Sequence, residues 1–168
     1  MSTKLKVIPR LLFTFCFDRD HYRLALDNRH NDFPASNWLL DILRARNLPT
    51  ADGKIYHFGL ILGDAYKDED RVDENIDADA MAAGAMTPPA LAAYYLAEKI
   101  NAATLARLGL REIILMHEPI VDLRPTQNKF RIGLCFEENG KSRMEACYGR
   151  IGGGWLSKTG FVYSIANP

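Results

Sequence analysis

Four residues carry the chemistry of a reactive centre: His57 and Asp64 on one apolar run, and His117 with Glu118 on another. If those runs are neighbouring strands, two imidazoles and one or two carboxylates can hold a divalent metal or act as acid and base. Such a site suits a small hydrolase or phosphodiesterase, with Arg131 or Arg143 contacting substrate. However, neither His57-Phe58-Gly59 nor His117-Glu118-Pro119 matches a ligand spacing with defined mechanics. The plainer reading makes both histidines interior strand residues with satisfied hydrogen bonds, Pro119 ending the ladder. No catalytic residue and no cofactor is therefore assigned, and a divalent metal on His57, Asp64, His117 and Glu118 is kept as the alternative.

Three other stretches have suggestive chemistry. Asp64 to Asp79 holds eight acidic and two basic side chains, a density that suits calcium or magnesium. It lacks the glycine and the bidentate glutamate of a helix-loop-helix calcium site, so it reads as a solvated, mobile acidic loop with little weight in stability. Gly152-Gly153-Gly154 ahead of Trp155, Ser157, Lys158 and Thr159 approaches a phosphate-cradling loop. That loop must open a helix, whereas Phe161, Val162, Tyr163 and Ile165 prefer a strand, so the glycines read as a flexible inter-strand turn. Asp18 to Pro34 is a long loop dense in Asp, Arg and His, more often a network of surface contacts than a site. No serine sits in a nucleophile elbow, and no dinucleotide fingerprint is present.

At 168 residues, 48% of them hydrophobic, the chain can bury one core and gives no reason to divide 1–168 into two domains. Its 21 basic and 21 acidic side chains cancel, which removes any broad attraction to nucleic acid or anionic membrane. Three cysteines cannot all pair, and free thiols suggest a reducing, cytoplasmic setting. Basic residues before Leu11 to Phe17 imitate a signal peptide, but Pro9, Arg10 and Thr14 interrupt the apolar run and no cleavage site follows. No run approaches the length of a membrane span.

These groups are positioned by elements the pattern makes legible. Leu5 to Phe17 alternates as a half-buried strand, and Trp38, Leu39, Ile42 and Leu43 form the stripe of a helix capped by Ser36. Lys54 to Leu62 is apolar on both sides and belongs inside a sheet. Thr87 and Pro88 open a long helix through Leu91, Tyr94, Tyr95, Ile100 and Leu105 to Gly109, which feeds the strand Glu112 to Val121. Strand, helix and strand predict a right-handed crossover between a parallel pair. Lys129 to Glu137, Lys141 to Arg150 and Trp155 to Ile165 then form an antiparallel meander.

Within that meander, a two-residue Asn-Gly turn would set Phe136 against Arg143. A three-residue loop of Glu138, Asn139 and Gly140 instead pairs Leu134 with Met144, Ile132 with Ala146 and Phe130 with Tyr148, with Gly140 left-handed. The opposite face then carries Arg131, Cys135, Arg143 and Cys147, a polar surface open to water or a partner. Cys135 and Cys147 stand about four residues apart along that ladder, too far for a disulfide at roughly 3.3 Å per residue. The fold class is α+β: a mixed sheet with a β-α-β crossover, a C-terminal antiparallel meander and helices on one face.

The functional reading is a cytoplasmic binding or assembly module that contacts another protein or its own copy through Arg131, Arg143, Tyr148 and Trp155. The metal hydrolase is the alternative. A further one is nucleic-acid binding through Arg124, Lys129, Arg131, Arg143, Arg150 and Lys158 interleaved with Tyr148 and Trp155, which zero net charge disfavours.

Overall fold

The computed structural model describes residues 10–16, 39, 42, 54–122, 125, 128–136, 142–148 and 154–166. Eight strands form one mixed sheet: β1 (Arg10–Cys16), β2 (Ile55–Leu62), β3 (Ala85–Met86), β4 (Glu112–Leu115), β5 (Ile120–Val121), β6 (Lys129–Phe136), β7 (Ser142–Tyr148) and β8 (Thr159–Ile165). The helices bounded within the described residues are α1 (Asp73–Ala82), α2 (Ala92–Lys99) and α3 (Ala102–Leu108). Leu39 and Ile42 are helical too, and both are buried in the core that also receives residues of α2 and α3, in accord with the predicted stripe; its other residues lie outside the described ones. No helix of the described residues is long and apolar enough to cross a membrane.

The α+β class and the mixed sheet hold, but the parallel pair is not the one predicted. β8 lies between β2 and β4, antiparallel to the first and parallel to the second. β2 and β4 therefore run in opposite directions and do not touch as partners. The last strand is the most buried, with Phe161, Val162 and Tyr163 inaccessible to solvent, and a strand this apolar on both faces takes the centre. It leaves the meander after its first hairpin.

That hairpin has the predicted register: Leu134 faces Met144, Ile132 faces Ala146 and Phe130 faces Tyr148. Gly140 and its loop lie outside the described residues. Phe130 also pairs with Ile120, and Leu134 with Ile113, so β4 and β5 line one side of β6 and β7 the other.

Alternation along the central strands divides their side chains between two cores. Phe58, Leu60, Ile113, Leu115, Ile132, Leu134 and Val162 pack beneath α2 and α3. Ile61, Ile114, Met116, Phe161 and Tyr163 pack on the other face with Ile76 and Ala80 of α1. Helices thus cover both faces, not one. The reason is the acidic stretch, read from its charge as a mobile loop. It winds through 3-10 turns at Gly63–Ala65 and Asp68–Asp70 into α1, whose Ile76 and Ala80, four residues apart, bury one stripe, while Asp73 and Asp77 flank it toward the sheet and Glu74 stays exposed.

The predicted long helix is broken. Its first turn starts near Pro89, and α2 stops at Ile100, whose backbone is extended. Asn101 then caps α3 by accepting from the Thr104 amide at 2.9 Å, a role for which asparagine is well suited. Gly109 closes α3 with φ of 70°, as the sequence implies.

Gly154 was read as part of a flexible turn, yet a Cβ there would lie 2.5 Å from the Arg71 carbonyl oxygen and 2.8 Å from that of Asp68. Gly63 is equally tight, 2.7 Å from the Thr159 oxygen and 2.8 Å from that of Leu156. Backbone cannot swing aside as a side-chain tip can. Gly63→Ala and Gly154→Ala are each expected to lower stability by about 1 to 3 kcal/mol in urea denaturation, whereas a loose turn would tolerate both within experimental error.

Candidate functional site

The sequence-selected quartet does not come together. His57 pairs with Ile165 of β8, so β8 separates it from the line of β4, a lateral distance of about 10 Å at ordinary strand spacing. Asp64 is exposed in the turn beyond the far end of β2, and Glu118 is exposed beyond β4. Among the described residues, no group of three or more His, Cys, Asp and Glu is arranged to hold a metal ion.

His117 is buried and fully engaged. Between the paired positions Ile114 and Ile120 the β4 to β5 segment spends five residues, 115–119, where β6 spends two, Arg131 and Ile132. The extra length loops out, and the imidazole returns to fill the gap: Nε2 accepts the Ile132 amide at 2.8 Å. Nδ1 lies 2.6 Å from the Glu118 carbonyl oxygen and must donate to it. Only the neutral ring protonated at Nδ1 satisfies both contacts. Burial, partly opposed by the Glu118 hydrogen bond and reinforced by the Arg131 charge, lowers its pKa to about 4. Neither nitrogen is left to bind a metal or move a proton.

Arg131, expected on an open face, is buried because α1 covers it. Nη1 pairs with Asp73 at 3.0 Å and Nη2 with Asp77 at 2.7 Å. Nε donates to the His117 carbonyl at 3.2 Å. The second oxygen of Asp73 accepts the Trp155 indole N–H, and that of Asp77 the Tyr163 hydroxyl, each at 2.6 Å. Burial and the Asp77 carboxylate push the Tyr163 phenol well above its ordinary pKa, so it remains a donor. Trp155 is therefore interior as well. A cleft of about 340 Å³ opens beside this network, with Glu74, Pro119, Lys129 and Cys147 on its walls. Its lining also includes Asp73, Asp77 and Arg131, which are paired with one another, so the cleft runs along the docked seam between α1 and the sheet.

Arg71, which the sequence reading passed over, performs the same service for the preceding turns. Its guanidinium donates to the carbonyls of Gly63, Tyr66 and Trp155 at 2.7, 2.8 and 2.9 Å, and Trp155 returns its amide to the Arg71 carbonyl at 2.8 Å. Beyond Gly133, Cys147 Sγ occupies the space a side chain would need. The Cys135 thiol is pushed far above its ordinary range by the influence of the Cys147 side chain and by burial, which keeps it protonated. Both cysteines are free.

What remains to consider is the outer side of β7. Among the described residues, no strand lies on the outer side of β7. The Ile132 amide points to His117, away from β7, so in an antiparallel ladder the partners of the even-numbered β6 residues point outward. Ser142, Met144 and Ala146 thus direct their backbone N–H and C=O groups along the edge. Arg143 and Glu145 stand beside them, partly exposed and paired with each other. Tyr148 is half-buried against Phe130, and its hydroxyl donates to Asp122 at 3.0 Å.

No family model matches this chain, and neither a curated protein nor a solved structure matches it.

Two outcomes follow from the buried groups. Arg131→Met leaves Asp73 and Asp77 without their cation and should cost about 3 kcal/mol in chemical denaturation; a loss no greater than that of a surface substitution would show that the triad does not dock α1. For His117, the unfolded ring takes up a proton near pH 6.5 and the folded one only near pH 4. The unfolded state binds more protons in between, so stability is complete above that window and falls through it by about 3 kcal/mol as pH drops. His117→Gln should flatten the slope between those values, measured by denaturation at fixed pH.

Proposed function

We propose that this protein is a binding or assembly module that receives an extended segment of a protein partner along β7. The observation that carries the reading is the row of outward backbone groups at Ser142, Met144 and Ala146, a template for strand addition. Main-chain hydrogen bonds supply attraction there, and the alternating side chains supply selectivity. Charged residues on an edge suppress indiscriminate pairing, and Arg143 with Glu145 narrows the choice to a segment of complementary charge. The free thiols of Cys135 and Cys147 support a reducing, cytoplasmic setting.

This reading relocates the contact surface. Of the residues first assigned to it, Arg131 and Trp155 serve the interior, while Arg143 and Tyr148 stay on the edge strand. The same burial removes two groups from any nucleic-acid surface. The hydrolase reading loses its ligand set, because His57, Asp64 and His117 are spread across the sheet and His117 is occupied.

Ala146→Pro tests the proposal. Proline at this position deletes an outward N–H without touching the β6 ladder, a substitution edge strands accept. In a peptide-display selection, the native protein is expected to enrich extended peptides whose binding is lost on Ala146→Pro, with the thermal transition of the variant retained. Enriched peptides that bind both proteins equally would sink the reading.

A further inference from the structure

Resting on that reading, we infer that the partner is a second copy of this chain, its β7 paired antiparallel with the first β7 about a twofold axis through Met144. Backbone geometry limits the registers. Since the even-numbered residues of β7 face outward, an isologous pair must set even residues against even ones. Charge then chooses among them.

An axis through Arg143 opposes two arginines, and one through Glu145 opposes two glutamates, like charges at the closest side-chain positions of the ladder. An axis through Met144 sets Arg143 of each copy against Glu145 of the other, twice. Met144 then exchanges both backbone hydrogen bonds with its counterpart, and Ser142 exchanges both with Ala146 on each side. Arg143 and Glu145 already lie on one face, two residues apart, and pair within the chain. Each exchanges a local partner for an equivalent one across the axis. A seven-residue edge is a small interface, so the dimer is weak and its equilibrium lies in the micromolar range.

Sedimentation of the full chain across that range tests the assignment. The native protein is expected to show a reversible monomer-dimer equilibrium. Arg143→Glu and Glu145→Arg alone should each weaken it roughly tenfold or more, since each puts like charges in both cross-strand pairs. Mixing the two variants in equal amounts should recover association, because the acids of one chain then oppose the bases of the other. The double exchange Arg143→Glu with Glu145→Arg in one chain should recover it as well. Recovery excludes misfolding as the cause of the single losses.

Single variants that associate like the native protein, or mixtures that fail to recover, overturn the register. A native chain that is monomeric throughout, yet selects peptides sensitive to Ala146→Pro, would show that the edge takes a foreign strand and would end the self-partner proposal alone. A monomer that also selects no such peptides ends both.

Discussion

A guanidinium buried against the sheet governs how the rest of this molecule is arranged. Arg131 can leave water only because Asp73 and Asp77 approach it from α1, and α1 can lie flat on that face only because the cation neutralises two carboxylates one helical turn apart. The remaining carboxylate oxygens are used by Trp155 and Tyr163, which brings the segment before β8 and the centre of β8 into the same network. One interaction therefore joins α1, β6 and β8, elements far apart in sequence. The second apolar core, around Ile76 and Phe161, forms beneath this polar seam.

The seam is continuous with the irregularity in the ladder. Arg131 Nε holds the His117 carbonyl, and the next amide along β6, that of Ile132, is held by the His117 ring. An imidazole here replaces a backbone acceptor that the outlooped segment carries away, and Pro119, with no amide of its own, leaves no donor stranded in the loop. Two residues that look reactive in the sequence are thus the fittings by which a strand changes course.

Periodic elements were legible because their pattern is local. The β6 and β7 register follows from which residues can share a face around one short loop, and Gly109 ends α3 for a conformational reason that neighbours do not alter. The position of β8 was not legible, since its apolar faces say that it is central but not between which strands. Charge misled at Asp64 to Asp79, although Ile76 and Ala80 at helical spacing, with Asp73 and Glu74 in the first turn, were a signal of α1. For the candidate site, both histidines were read as satisfied interior strand residues; His117 is buried and engaged at both nitrogens, though between β4 and β5, whereas His57 is only partly buried. Arg131 was placed on the right strand and face but assigned to solvent, because nothing nearby in sequence announces the helix that covers it.

The placement of β8 has a consequence for how the chain reaches this state. It follows every other strand in sequence and yet separates the β1 and β2 pair from the unit formed by β4 to β7. Without β8 the sheet falls into two pieces, each with a bare inner edge and an incomplete core. The contacts that join them span about a hundred residues, as between Phe58 and Ser164, so closing them carries a large loop entropy. Folding of the whole sheet is expected to be slow and strongly cooperative, with the transient inner edges, unlike the charged outer one, protected only by the speed with which β8 arrives.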